Sequence, residues 1–180
     1  MDALKTLAET FPVAAKDIRL NLQAVLSDGS LSPKQRYGVA YACALACRSR
    51  ALSEALLQDA GENLDEAVID DAQAAAALMA MNNVFYRFRH IIGKPSYSTL
   101  PARLRMNRIA QPKTSKPEFE LMCLAVSAVN NCEACVRSHE KAVREGGLSE
   151  ANVVDAVCIA ATIAAASVSA DAAVTDAAGF

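Results

Sequence analysis

The chain has 180 residues, 53% of them apolar and 21% charged, with a formal net charge of -2 at neutral pH. That length suits one domain, or two small lobes sharing a core, and can bury roughly two-thirds of the unfolded surface. Near-neutral charge without a Lys/Arg block excludes the footprint of a nucleic-acid binder, and 7 Gly, 6 Pro, no Trp and 5% aromatics argue against a β-sandwich or a disordered chain.

Taken in chain order, the helix punctuation is legible. Phe11-Pro12 opens a segment carrying Val13, Ile18, Leu22, Val25 and Leu26, which Asp28-Gly29 ends. Ser32-Pro33-Lys34-Gln35 reads as cap, first-turn proline and capping-box partner, and predicts a helix to about Cys47. Another runs to Ala60 and stops at Gly61, and Asn63 with Glu66 starts a long one reaching about Ile92, where Gly93-Lys94-Pro95 breaks it. The proline-rich stretch from Gly93 to Lys116 leaves room for a short helix near Ala102 to Ile109. Ser115, Pro117 and Glu118 open a further helix, interrupted at Asn130-Asn131; the next begins at about Cys132 and ends at Gly146-Gly147. Ser149 caps a last, Ala-rich helix to about residue 176. No stretch alternates with period two, so the expectation is an all-α fold.

An internal echo runs through this pattern. A shift of about 85 positions lays Cys47 on Cys132, Gln35 on Glu120 and Gly61 on Gly146. The expectation is a single domain over 1–180 with a degenerate first copy over 1–95 and a redox-active second over 115–180, although any two Ala-rich helical hairpins also align this well.

Six cysteines are the oddest feature of the composition. Cys43/Cys47 and Cys132/Cys135 form pairs, and Cys123 and Cys158 stand alone. Met1 to Phe11 carries Asp2, Lys5 and Glu9 and offers no apolar signal core. The longest uncharged stretches, Ala72 to Tyr86 and Ala156 to Ala170, fall short of the ~20 residues of a membrane span. The expectation is a cytoplasmic protein, with no membrane or nucleic-acid partner, whose thiols are kept reduced. A Cys-x-x-Cys in that compartment is more often catalytic or metal-binding than structural.

The strongest local signal is Asn130-Asn131-Cys132-Glu133-Ala134-Cys135-Val136-Arg137-Ser138-His139. Cys132, Cys135 and His139 fall at i, i+3 and i+7, one face of a helix. The pair lies in the first turn, where unpaired N–H groups and the helix dipole favour a thiolate. His139 can exchange a proton with Cys135. The alternative is two buried cysteines acting as small hydrophobes, which the polar neighbours Asn131, Glu133, Arg137 and Glu140 disfavour. As a metal site, three ligands on one helix lack a second Cys/His cluster, and nothing places His90 nearby, so no metal is expected. Thioredoxin's βαβ context is missing too.

Glu120 is the next candidate. Flanked by Phe119, Leu121, Leu124 and Val126, its carboxyl sits at the edge of the buried face or inside it with a raised pKa, suited to accepting a proton. Cys43, Cys47, Cys123 and Cys158 read as core filling. Met79 to Tyr86 reads first as core and second as pocket lining. Arg87, Arg89, Arg103, Arg105 and Arg108 read as a solvated or subunit-facing surface.

Phe119-Glu120-Leu121, Ala125-Val126-Ser127-Ala128 and Cys132-x-x-Cys135-x-x-x-His139-Glu140 together resemble the AhpD alkyl hydroperoxidase family. Met81-Asn82-Asn83-Val84-Phe85-Tyr86-Arg87 and Leu104-Arg105-Met106-Asn107-Arg108-Ile109-Ala110 are similar to it as well, so that the likeness covers nearly the whole chain. The resemblance implies an all-helical subunit with a duplicated core, assembled as a homotrimer, and a thiol peroxidase that reduces organic hydroperoxides without a bound cofactor. By that resemblance Cys135 attacks the peroxide and becomes a sulfenic acid, Cys132 donates a proton and resolves it, and Glu120 and His139 relay the activating proton. It further implies a reductant, the lipoyl group of a dihydrolipoamide acyltransferase, and a second partner, the AhpC peroxiredoxin. The chain departs from the family pattern at Ala134, where a His precedes the second Cys in the best-known members. Two other readings remain: a carboxymuconolactone decarboxylase, which has no evident need for a dithiol, and a non-catalytic redox sensor.

Overall fold

The computed structural model describes residues 2–177, with side chains through 173. Among the described residues the chain is helical throughout, with no strand. The helices are α1 (Asp2–Glu9), α2 (Lys16–Ser27), α3 (Pro33–Ala46), α4 (Arg50–Ala60), α5 (Glu66–Ile92), α6 (Pro95–Thr99), α7 (Lys116–Val129), α8 (Glu133–Glu145) and α9 (Glu150–Ala177), with 3-10 turns at Val13–Ala15, Gly61–Leu64 and Asn107–Ala110.

Two helices form the centre. Every residue from Arg36 to Ala44 in α3, and from Phe119 to Ser127 in α7, is buried. A helix closed to water on all sides has to be sheathed by others. Accordingly α3 packs on α4, α5, α7 and α9, and α7 on α3, α5, α8 and α9. Ala40, Ala42, Ala44 and Ala125 at these contacts let the axes approach closely, while Phe119, Leu121 and Leu124 fill the space between. Each such large side chain contributes about 1.5–3 kcal/mol by leaving water.

Both central helices open with the device their sequences announce. Ser32 and Ser115 each accept from the backbone N–H three residues on, and Gln35 and Glu118 close the box on the cap's own N–H. Both end alike. Arg48 and Asn131 adopt left-handed conformations at φ 58° and 54°, and Ser49 N–H and Cys132 N–H donate back to Ala44 O and Ser127 O at 3.0 Å. Ser49, rather than Cys47, therefore stands in the first half where Cys132 stands in the second, a slightly shorter shift than the one that pairs the cysteines.

Elsewhere the boundaries depart from expectation. An extra helix, α1, precedes Phe11, held by Ala3 and Leu4 N–H groups donating to Asp59. The cap of α5 is Asp65, which accepts from Val68 N–H, whereas Asn63 donates to Ala60 O. Pro95 sits at the first position of α6 instead of only breaking α5, and the short helix expected near 102–109 reduces to the turn at Asn107–Ala110. The final helix, over Glu150–Ala173, is long and apolar enough by length and composition to cross a membrane, because Glu150, Asp155 and Asp171 shortened only the uncharged run. Here 44% of its most apolar window is buried, and it packs on α2, α3 and α7.

The irregular stretch before α7 is anchored by one carboxylate. Asp71, fully buried on α5, accepts from Lys113 N–H, Thr114 N–H, Thr114 Oγ1 and the Arg108 guanidinium, which also reaches Asp70. Arg108 is thus a structural ion-pair member and not a solvated cation. Burial pushes the Asp71 carboxyl up, but these donors outweigh it and hold it below the ordinary value. A carboxyl held low in the fold stabilises it above the ordinary carboxylate pKa, and that stability is lost as pH falls through the lower folded value. Asp71→Asn is expected to cost about 3 kcal/mol at pH 7, the scale of a broken buried pair. In urea denaturation the gap from wild type should stay constant between about pH 5 and 8 and narrow below about pH 4.

Candidate active site

The α7–α8 corner is built from amides. Asn130 ends α7, and its side chain donates to Asn83 Oδ1 on α5 at 2.9 Å; Asn83 Nδ2 donates in turn to Ser127 Oγ at 3.0 Å. Arg87 clamps the corner by donating to Asn130 O at 2.7 Å. Asn131 then supplies the left-handed step that a short polar side chain tolerates, and Cys132 enters as the N-cap of α8.

Unlike Ser32, Asp65 and Ser115, the Cys132 cap offers no side-chain hydrogen bond to its helix. The first-turn N–H groups of α8 are left without a side-chain acceptor, and a thiolate beside them meets both donors and the positive end of the dipole. Cys132 and Cys135 are joined as a disulfide, with Cα atoms 5.3 Å apart, inside the range such a bond requires. Both are buried despite their polar neighbours, and Cys135 retains 5% exposure.

Behind the dithiol lies a buried ion pair. Glu120, 5% exposed, points from α7 to α8, where its Oε2 is 2.5 Å from His139 Nδ1; its Oε1 is 2.6 Å from Lys116 Nζ. His139 Nε2 lies 3.2 Å from the sulfur of Met79 on α5. Both imidazole nitrogens therefore have partners, and the ring is fixed. The expectation of a raised Glu120 pKa is overturned. Burial does push it up, but the hydrogen bonds from His139 and Lys116 outweigh burial and hold the carboxyl below its ordinary value. At neutral pH it is a carboxylate, able to hold a proton on His139 Nδ1.

Cys135, His139 and Glu120 share a cleft of about 370 Å³ with Asn82, Tyr86, Met106 and Ile109. The pocket-lining reading of Met79 to Tyr86 therefore applies to Asn82 and Tyr86, while Met79 is core. Cys132, itself fully buried, borders a shallow depression on the opposite face of α8 with Asn131, Glu133, Val136 and Arg137. No hydrogen bond joins His139 to either cysteine sulfur among the described residues, so a proton passing between them needs a water or a small movement. His90, which the sequence placed nowhere, lies on this second side with its Nε2 3.5 Å from Glu133.

The four remaining cysteines divide. Cys43 and Cys123 are fully buried, and burial pushes both thiols well up. Cys47 is half-buried at the end of α3. Cys158 is exposed on α9, contrary to the expectation of core filling, because the outward stripe that carries Val154 and Val157 also carries it. Asn82, Tyr86, Met106 and Ile109 are the site residues that reading for chemistry passed over; their signal was the sequence likeness around Met81 to Arg87 and Leu104 to Ala110.

Residues 95–177 match the model of the carboxymuconolactone decarboxylase family. Over 160 residues the chain is 61% identical to "Alkyl hydroperoxide reductase AhpD" of Anaeromyxobacter dehalogenans, covering 89% of this chain and 86% of that protein. It is 48% identical over 158 residues to the protein of the same name from Bradyrhizobium sp., covering 88% and 87%. It is 47% identical over 157 residues to that from Solibacter usitatus, covering 87% and 89%. With identity of this order across nearly all of both partners, and with the dithiol and its helical frame in place, the chain belongs to the AhpD alkyl hydroperoxide reductase family.

Proposed function

We propose that this chain is a thiol peroxidase that reduces organic hydroperoxides to alcohols through Cys132 and Cys135. The carrying observation is the disulfide at the uncapped start of α8, with its second sulfur on a cleft that also holds the Glu120–His139 pair. Cys135 is the attacking thiol, since it alone of the two lines that cleft. Its proton passes, by way of a water or a small movement of the ring, to His139, whose Nδ1 is held by Glu120. The thiolate attacks the terminal peroxide oxygen, the O–O bond breaks, and Cys135 becomes a sulfenic acid while the alkoxide leaves. Cys132 gives that alkoxide its proton, and the resulting thiolate displaces hydroxide from the sulfenic sulfur to form the disulfide. His139 returns a proton to the hydroxide, so one hydroperoxide and two thiols become one alcohol, one water and one disulfide.

Two thiols from outside must reopen the disulfide. The depression at Cys132 supports a reductant that arrives on the face away from the peroxide cleft, attacks Cys132 and expels the Cys135 thiolate, the better leaving group at a helix start. A dihydrolipoyl group on an acyltransferase partner has the slender reach for this depression, and a peroxiredoxin of the AhpC type would draw on the same dithiol. A cycle of this kind serves antioxidant defence in a reducing compartment, the cytoplasm.

The last turns of α5 leave the core. Ile91 is 74% exposed, Val84 and Phe88 on the same face of α5 are exposed with it, and Leu100 just after α6 is exposed as well. An apolar surface of this extent supports association with further copies of the chain, as a trimer.

Peroxide-dependent oxidation of NADH, with lipoamide and lipoamide dehydrogenase as the feed, should proceed with the wild type and be abolished in Cys135→Ser; a variant that consumed peroxide at the wild-type rate would sink the proposal. Glu120→Gln should slow the peroxide step on the order of 100-fold, the lower end of what a positioned proton relay contributes, while diamide still forms the disulfide. Sedimentation should show an oligomer for the wild type and a smaller species for Ile91→Asp. A monomeric wild type would remove the assembly.

A further inference from the structure

Asn82 differs from every other amide around the site. It is 4% exposed, and its Oδ1, shut off from solvent, finds no hydrogen-bond donor among the described residues. Its neighbour Asn83 provides the contrast, with Nδ2 donating to Ser127 and Oδ1 accepting from Asn130. Packing alone does not call for a carboxamide at residue 82, because an apolar side chain of the same size would fill the space without stranding an acceptor. The residue that carries this acceptor borders something in particular: Asn82 lines the cleft with Cys135 and His139, and Met106 and Ile109 lie along the same cleft.

We propose that the Asn82 carboxamide receives the substrate: a turn about χ2 brings the sealed Oδ1 round to the cleft, where it accepts the O–H of the hydroperoxide and brings the terminal oxygen to Cys135, with the alkyl group along Met106 and Ile109. The inference rests on the peroxidase reading and names how that site recognises its substrate. An acceptor at this point selects peroxides that carry an O–H. As Cys135 attacks, the S–O bond forms and the O–O bond breaks; sulfur gives up two electrons, and the departing alkoxide takes them as a lone pair and its proton from Cys132. The terminal oxygen keeps its hydrogen throughout, so the bond to Oδ1 passes from the hydroperoxide to the sulfenic acid. Asn82 thereby holds both the reactant and the first product, and its loss is felt in the chemical step as well as in binding.

The test compares the fully reduced wild type, Asn82→Leu and Asn82→Ser in a single turnover with cumene hydroperoxide, following thiol loss. Alkylation of Cys135 by iodoacetamide, read from its peptide mass across pH, is measured beside it. The expected result is a rate constant for hydroperoxide at least about tenfold lower in both variants, with alkylation and its pH dependence within about twofold of wild type. Should Asn82→Leu not fold, Asn82→Ser, which removes bulk without adding an apolar surface, carries the comparison. Hydroperoxide rates close to wild type in the variants overturn the assignment, as does alkylation falling in parallel, which would make Asn82 a determinant of the thiol rather than of the substrate. A wild type that loses no thiol to cumene hydroperoxide overturns the peroxidase reading and this inference with it, whereas an active wild type with unaffected variants overturns the Asn82 assignment alone.

Discussion

The contact on which the site depends is the carboxylate of Glu120 between His139 and Lys116. An ionised carboxyl inside a helix bundle costs several kcal/mol in lost hydration, and only close, hydrogen-bonded partners offset that. Lys116 comes from one turn earlier on α7, near its start, and His139 from the inward face of α8. Meeting both demands at once fixes how α8 is rotated about its own axis. The same rotation turns Cys135, one turn before His139, toward the cleft, and leaves Glu133 and Arg137 in solvent. The two ends of the hairpin are fixed with similar economy. Gly146 lies so close to Pro117 that a Cβ there would fall 2.5 Å from the ring, which draws the end of α8 against the start of α7.

At the other end, the corner at Asn130 and Asn131 does what a glycine loop could not. The Asn130 side-chain amide is tied to Asn83 and its carbonyl to Arg87, so the left-handed step that follows is held by α5 from outside the hairpin. Cys132 is consequently presented at one defined point. A dithiol that must shuttle between two thiols and a disulfide needs little backbone motion from such a frame, since the Cα separation already suits the bond. The missing side-chain cap has the same logic. A serine at residue 132 would satisfy the first turn of α8 permanently, whereas a cysteine leaves those donors to whichever sulfur carries charge.

How much of this could be read in advance follows from the range of the interactions. Caps, prolines and the i, i+3, i+7 spacing are local, so α3, α7, α8 and the face shared by Cys132, Cys135 and His139 were legible from residues alone. The protonation of Glu120 was not, because its neighbours in sequence are apolar and its decisive partner lies nineteen residues away on another helix. Arg108 looked like one of a set of surface cations; only the return of the 107–114 segment over α5 reveals Asp70 and Asp71 beneath it. The shift of about 85 positions matched cysteines, whereas the helix ends that are built alike match at a slightly shorter shift. Helix ends, not the side chains on them, set the correspondence, and these put Ser49 opposite Cys132. Cys158 shows the converse limit, since an Ala-rich helix with small apolar residues on every side offers no local sign of which of them faces out.

The dithiol has two faces, and they differ in what they can admit. The Cys135 side is a cleft of about 370 Å³ lined by side chains from α5, the 106–109 segment, α7 and α8. The Cys132 side is open and shallow, flanked by Glu133 and Arg137, which are paired with each other and free to rearrange. On the peroxidase proposal, a reactant that only has to deliver one oxygen suits the first, and a thiol carried on a larger body suits the second. Separation of this kind lets oxidation and reduction use one sulfur pair without competing for one opening. It also explains why Cys132 can be fully buried in the oxidised state without being inert. Cys132 lies at the start of a helix, beside a depression lined by Asn131 and Glu133, and not in the packed core that holds Cys43 and Cys123.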